Sequence, residues 1–463
     1  MIDIDTSLTP ADLLPAIDRM WDLSAKKIRA IEKSADARGG KTPVFTVNGT
    51  YQPQGWTEWT QGFQYGSAVL QYDATGDDEM LQIGWRGTRE QMHTHVSHGG
   101  VHDHGFNNLS TYGNLLRLGR EGGGGGGGGG GRFDMCEDEA AFYTLALQVS
   151  GAVQAARWTR TADGGGFIHS FNGPQSLFVD TVRSCRIVAV SHLLGHRPQG
   201  EQDEPLDLPN RLRQHLTKTA EYNIFYGEGR DVYDTPDVRG RTAHETLWNP
   251  ASGKYRCPST QQGYSPFSTW TRGLAWAMVG YAEQLELARK QPDLYGDEMI
   301  EVMRKAATAT CDHFIDHTPT DGVPYWDEGA PGLAKMGDYR SRPAEPFNDY
   351  EPVDSSAAAI GCQGLIRLGR YLSDDRYIAA GLTSLKTLLD EPYLSTSDDH
   401  EGLLLHSIYH RPNDWDHTPD GSKIPNGEAC MWGDYHLREA ALHVGRIAKD
   451  EPYYTFFGCT EVK

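Results

Sequence analysis

Two aspartates have the surroundings that acid–base chemistry needs. Asp103 sits between histidines in His102-Asp103-His104-Gly105-Phe106, and Asp180 interrupts the apolar run Gln175-Ser-Leu-Phe-Val-Asp180-Thr-Val. Apolar neighbours withdraw water from a carboxylate and disfavour its charged form, so burial is expected to raise the pKa of Asp180 toward that of a general acid. An aspartate there can also cap a helix or rest satisfied in a core. Asp103, on a tight glycine-containing backbone beside Phe106, suits the gripping of a sugar ring. Five histidines, His93, His95, His98, His102 and His104, fall within twelve residues, which raises zinc as a competing reading. No HExxH or Cys/His pairing accompanies them, so no metal is expected.

A third cluster runs from His244 through Gln262 to Trp270-Thr-Arg272-Gly-Leu-Ala-Trp276. A guanidinium in an apolar helix start needs an anion: either a substrate carboxylate, which its fork matches, or a protein Asp or Glu in a structural ion pair. The aromatic rings around it suit either sugar faces or plain core. A fourth segment, Asn426 to Tyr435, reads as a lid at a cavity mouth or as a simple helix start.

These residues must be held by helices. Helix one is expected from Thr9-Pro10-Ala11-Asp12, with a capping residue, a proline that lacks an orphan N–H, and an acid at the positive helix end. Further helices are expected over 58–74, 77–96, 107–119, 134–157, 174–195, 205–222, 266–290, 295–317, 353–373, 375–390 and 431–448. Twelve helices make six hairpins, an all-α (α/α)6 toroid whose long loops frame a central pocket, with an irregular α-solenoid as the alternative. Strand signals are confined to Val44–Val47 and the loop 400–410. The ten glycines at 122–131 read as a flexible loop within one catalytic domain spanning 1–463.

Composition sets the class. The chain has 463 residues, 38% hydrophobic and 23% charged, with 43 Lys and Arg against 63 Asp and Glu for a net charge of −20. That is a folding composition, and its acidity argues against nucleic acid or anionic membrane as partner while leaving room for a small anionic substrate. No apolar run approaches the roughly 18 residues of a membrane span. The acidic start lacks the basic and apolar regions of a secretory signal, and the 7 scattered cysteines contain no CxxC, so a reduced, cytoplasmic protein is expected. Oligomeric state leaves no mark in the sequence.

From about residue 56 to 448 the chain resembles the unsaturated glucuronyl hydrolases of glycoside hydrolase family 88. The likeness rests on Trp59-Thr-Gln-Gly-Phe63, His102-Asp103-His-Gly-Phe106, Val179-Asp180-Thr, Thr271-Arg272-Gly-Leu-Ala-Trp276, Asp354-Ser-Ser-Ala-Ala-Ala and Met431-Trp432-Gly-Asp-Tyr435, in that order. It implies an (α/α)6 barrel with Asp180 as general acid and base and Asp103 as second essential carboxylate. His102, Phe106 and Trp59 would flank the sugar, and His244, Gln262, Arg272 and Trp276 would fill the remaining pocket positions, Gln262 and Arg272 near the uronate. Leu274 stands where the family often has Gln, and Val182-Arg183-Ser184 follow the catalytic Asp in place of the usual Met and Asn. The implied reaction adds water across the C4=C5 bond of a non-reducing-end unsaturated uronic acid, and no cofactor is required. The competing functions are an unsaturated rhamnogalacturonyl hydrolase on pectin fragments, a sugar epimerase or isomerase on the same barrel, and a non-catalytic sugar-binding protein.

Overall fold

A computed structural model describes residues 1–53, 59–121 and 133–462. The glycine run at 122–131 lies outside the described residues, as does the first residue of the helix expected from 58. Twelve principal helices alternate between an outer and an inner ring among the described residues. The outer ones are α1 (Leu14–Lys33), α3 (Asp78–Gln91), α5 (Glu137–Ala156), α7 (Leu208–Asn223), α9 (Asp297–His317) and α11 (Asp375–Leu388). The inner ones are α2 (Gln61–Thr75), α4, α6, α8 (Thr271–Lys290), α10 (Ser355–Leu372) and α12 (Met431–Ala448). Helix α4 is a composite of His104–Asn108, a π-helical turn Leu109–Gly113 and Asn114–Arg120, and α6 is Thr181–Ser184 followed by Arg186–Leu193.

The packing closes the ring. Helix α2 lies against α4 and α12, α6 against α4 and α8, and α10 against α8 and α12, while each outer helix packs on inner neighbours. Burial follows position. In α9, Met299, Met303, Ala307, Cys311 and Phe314 are buried, and Glu298, Glu301 and Lys305 on the opposite side are exposed, the single apolar stripe of an outer helix. In α12 every residue from Met431 to Arg446 is buried. Small residues let inner helices approach: a Cβ on Gly364 of α10 would lie 2.8 Å from the backbone nitrogen of Val279 in α8.

The first helix begins as a 3-10 turn at Pro10–Leu13, where the Asp12 carboxylate accepts the Thr9 N–H at 2.8 Å and its hydroxyl at 2.6 Å. The continuous helix expected over 174–195 is interrupted. Ser176–Phe178 form a strand, β5, antiparallel to β6 (Glu245–Asn249), which pairs with β7 (Lys254–Ser259). The run Leu177-Phe178-Val179 suits an extended, fully buried strand as well as a helix, and the partner strand about 70 residues on decides it. The expected strand near Val44 is β1 (Phe45–Val47), joined to β2 (Thr50–Gln52) by Asn48-Gly49, both with positive φ as a tight hairpin turn demands. A third pair joins β3 (Trp158–Arg160) to β4 (Gly166–Ile168), and residues 400–410 make only isolated bridges, at Leu404 and Leu405.

Because every inner helix follows an outer one, all six inner helices run the same way and present their N-termini at one mouth. Trp59 precedes α2, Asp103 precedes α4, Asp180 precedes α6, Trp270 precedes α8, Asp354 precedes α10 and Cys430 precedes α12.

Candidate active site

The mouth holds a cavity of about 300 Å³ whose walls combine Trp59, Phe106, Trp276, His102, Asp103, Asp180, Gln262 and Arg272. Eight of the nine residues singled out from sequence therefore meet around one space. The ninth, His244, stands one layer behind, its ring 4.5 Å from both Phe178 and Trp270, two rings that do line the cavity. Its Nδ1 accepts the backbone N–H groups of Gln261 and Gln262 at 3.0 and 3.2 Å. Burial lowers its pKa to about 3, so it is a neutral ring that orients the Gln262 segment.

Asp103 and Asp180 both occupy N-cap positions, yet neither side chain makes a capping hydrogen bond. Elsewhere in the molecule Asp77, Asp207, Asp354 and Asp374 do cap in this way. The two carboxylates instead converge on His102, whose Nε2 lies 3.4 Å from Asp180 Oδ1 and 3.9 Å from Asp103 Oδ1. The N–H of Phe171 donates to His102 Nδ1 at 3.2 Å, which places the proton of the neutral ring on Nε2, facing the carboxylates. Both His102 Nε2 and Asp180 Oδ1 are buried without completing a hydrogen bond, so the site keeps an unsatisfied donor and acceptor beside its cavity.

The protonation pattern corrects the expectation for Asp180. Burial does push its pKa up, but the close approach and charge of His102, reinforced by His244 and Arg272, outweigh that and leave it below the ordinary carboxylate value. Asp103 behaves as Asp180 was expected to: burial raises it, the Asp180 charge adds to the rise, and His102, Arg157 and His98 only partly offset it. Burial opposes charge on His102, and Asp103 and Asp180 together lift its pKa above the usual histidine value. Of the two carboxyls, Asp180 is therefore the one that ionises first and Asp103 the one that holds its proton to higher pH.

Of the two anions open to Arg272, the structure supplies the protein carboxylate. Arg272 is no isolated cation: its Nη1 donates to Asp354 Oδ2 at 2.9 Å and to the Ile408 carbonyl, and its Nη2 to Gln262 Oε1 and the Tyr409 carbonyl, each at 2.8 Å. All four terminal N–H groups serve the protein, and the structural ion pair is the reading that holds. By accepting from Arg272, the Gln262 carbonyl oxygen turns its amide NH₂ elsewhere, and Gln262 itself lines the cavity.

Aromatic rings complete the walls. Trp59 stacks on Trp432 at 4.9 Å, and Phe106 lies 4.9 Å from Trp276. Beneath Trp276, Arg183 pairs with Glu283 and Glu439 at 3.1 and 2.6 Å and donates to His436, whose ring lies 5.0 Å from Trp276. The Asn426–Tyr435 segment is a helix start packed behind the wall, not a lid: Trp432 is fully buried, and Asp434 accepts the N–H groups of Leu403 and Leu404. The histidine-rich segment disperses rather than converges: His95 bonds Gln61, and His104 bonds Ser150 and the His98 carbonyl.

Sequence reasoning missed Phe171, Phe178, Tyr409, His410 and Trp415. His410 is buried with neither ring nitrogen partnered. Trp415 is held against the mouth by Asp416, which accepts the N–H groups of Tyr409 and His410. Phe178 ends the short strand β5 and the other four sit in irregular loops, where no periodicity singles them out.

Gly105 is what lets the Asp103 loop reach α6. A Cβ there would lie 1.9 Å from the Ser184 carbonyl oxygen, while the Ser184 hydroxyl donates to the His102 carbonyl at 2.5 Å. Gly105→Ala is expected to destabilise by about 1–3 kcal/mol through forced backbone movement and to depress activity more than tenfold. Thermal melts and initial rates check this, and wild-type values in both would show that the close approach is dispensable.

No protein-family model matches the chain. It is 27% identical over 404 residues to the unsaturated glucuronyl hydrolase of Bacillus sp. (strain GL1), covering 84% of this chain and 87% of that one. Identity to the unsaturated glucuronyl hydrolase of Formosa agariphila is 29% over 255 residues, 51% of this chain and 54% of the other. To the unsaturated chondroitin disaccharide hydrolase of Streptococcus agalactiae serotype III it is 23%, over 93% and 91%. Among solved structures, the Bacillus sp. GL1 unsaturated glucuronyl hydrolase superposes with a TM-score of 0.67 at 21% identity, over 93% of this chain and 97% of that one. The Streptococcus agalactiae unsaturated glucuronyl hydrolase gives 0.68 at 20% identity, over 98% of each chain. The chain is similar in sequence to unsaturated glucuronyl hydrolases and shares the mainly helical toroidal fold of their solved structures.

Proposed function

We propose that this protein is a glycoside hydrolase that removes the Δ4,5-unsaturated uronic acid from the non-reducing end of lyase-generated oligosaccharides by hydrating its C4=C5 bond. The observation that carries this reading is the pair of uncapping carboxylates, Asp103 and Asp180, meeting at one histidine in a blind aromatic cavity. Structures of related enzymes contain dGlcA-Glc-Rha-Glc and dGlcA-GalNAc6S, sugars of the class proposed.

The reaction needs one proton on C4 and the oxygen of water on C5. Proton addition at C4 leaves an oxocarbenium ion at C5, stabilised by the ring oxygen, and water adds there while giving up a proton. The C5 hemiketal opens to a ketone, C1 becomes a hemiacetal, and its collapse releases the leaving sugar. One water is consumed, and the proton taken from it replaces the one given to C4. The carboxylate pair suits that exchange because it holds a single proton. Asp180, whose pKa lies below the ordinary carboxylate value, is placed to accept the proton from water. The substrate's own carboxylate opposes that charge on entering and draws a proton onto the pair, ready for C4. Six inner-helix N-termini at the mouth favour the anion. The surrounding proposal is a single cytoplasmic catalytic domain that acts on small anionic oligosaccharides and binds neither nucleic acid nor membrane; no helix among the described residues is long and apolar enough to cross a membrane.

Mixing the protein with lyase digests of several uronate polysaccharides should abolish the ultraviolet absorbance of the conjugated alkene, and persistence of that absorbance on all of them refutes the reading. The pH dependence has a definite sign. Since the pair must hold one proton, kcat/KM should fall at low pH as Asp180 protonates, below the ordinary carboxylate range, and fall at higher pH as Asp103 and His102, both raised, lose theirs. A rate that rises without limit toward alkaline pH would contradict it.

A further inference from the structure

Arg157 belongs to no motif and does not line the cavity, yet it is buried and binds the two loops that flank His102. It closes the C-terminus of α5 and leads into β3. Its Nε donates to the His169 carbonyl at 3.1 Å, its Nη2 to the Ser170 carbonyl at 2.6 Å and its Nη1 to the Gly99 carbonyl. His169 and Ser170 immediately precede Phe171, whose N–H sets the tautomer of His102; Gly99 lies three residues before His102 itself. Ser170 also receives support from β5, the strand that delivers Asp180, through hydrogen bonds of its N–H and hydroxyl to Ser176.

Three carbonyls are unusual company for a buried guanidinium. Among the described residues no carboxylate pairs directly with it, and the acid its charge acts on is Asp103. We propose that Arg157 is a positioning residue of the site: by tying the Gly99–Asp103 loop to the 169–171 loop it fixes the tautomer and place of His102, and so the geometry in which Asp103 and Asp180 share a proton. It touches no substrate. This inference rests on the function proposed above.

The groups that face Asp103 are His102, Asp180, Arg157 and His98, and those that face Asp180 are His102, Asp103, His244, Arg272 and His215. Arg157 lowers both Asp103 and His102 by its charge, so its removal moves both the same way, upward. Arg157→Met is therefore expected to lower kcat about 100-fold and to move the alkaline limb of kcat/KM to higher pH. Arg157→Lys keeps the charge but cannot span three acceptors, so it should lower kcat about tenfold with the limb where the wild type has it. Ring-nitrogen NMR of His102 should show the Nε2–H tautomer in the wild type and a mixture in Arg157→Met.

An Arg157→Met limb at the wild-type pH overturns the proposal, as does full kcat in Arg157→Lys. If Arg157→Met fails to fold, the Lys variant decides by that same criterion. The NMR readout needs no turnover: should the wild type prove inactive on every uronate, the functional reading fails, and an unchanged His102 tautomer in the variants would independently defeat the role of Arg157.

Discussion

Asp180→Asn should lower kcat by about 10³-fold or more while leaving KM within a few-fold of the wild type. The amide matches the carboxylate in size, so the packing around a residue that is 8% exposed is preserved. What is lost is the capacity to exchange a proton, because an amide stays neutral throughout the working pH range. An Asn also changes the contact with His102: the 3.4 Å approach of Nε2 to Oδ1 loses its charge, and His102 loses one of the two carboxylates that raise it. The measurement is the decay of alkene absorbance under single-turnover and steady-state conditions, with circular dichroism to show the fold intact. Near-wild-type kcat would remove Asp180 from the chemistry. Asp103→Asn makes the companion test. Since Asp103 is the member whose pKa is raised, its loss should also erase the alkaline limb of kcat/KM until His102 titrates, whereas loss of a mere sugar-binding group would raise KM and leave the limb in place.

How far the sequence reaches can be seen residue by residue. The stripe Met299, Met303, Ala307, Cys311 and Phe314 repeats at helical spacing, and the helix it predicts over 295–317 is Asp297–His317 in the structure. Periodicity is a local property, so it survives without knowledge of the fold. The same local logic misplaced a helix over Ser176–Phe178, because a three-residue strand carries no period and exists only through its pairing with Glu245–Leu247. The catalytic candidates were legible as residue types in apolar settings, and their convergence follows from the common direction of the inner helices. Their charge states were not. Asp180 lies 78 positions from His102 in the chain, and that contact, with the charges of His244 and Arg272, reverses the effect of burial. Trp415 escaped notice because a loop held by one carboxylate, Asp416, leaves no repeating signal.

The partner of Arg272 was equally invisible, since Asp354 lies 82 residues downstream, and the size of their effect makes the second large prediction. Asp354 is fully buried and does two jobs. Its Oδ2 pairs with Arg272, and its Oδ1 accepts the Ser356 N–H at 3.1 Å, the Ser356 hydroxyl at 2.5 Å and the Ile408 N–H at 3.3 Å. Asp354→Ala strands a guanidinium that is 1% exposed and uncaps α10 at once, which should cost about 3–5 kcal/mol for the unpaired charge and about 1 kcal/mol for the cap. Urea titration should register that loss. Arg272→Met with Asp354→Leu removes both charges, and a buried pair replaced by apolar groups of similar volume is often near neutral, so the double variant should recover much of the stability. Activity should not recover with it. Arg272 holds the Gln262 side chain and the 408–409 backbone, and those contacts shape the cavity wall irrespective of fold stability. A double variant that regains both stability and turnover would mean the pair does nothing beyond bracing the ring; stability regained without turnover separates the scaffold's role for Arg272 from its role in shaping the site.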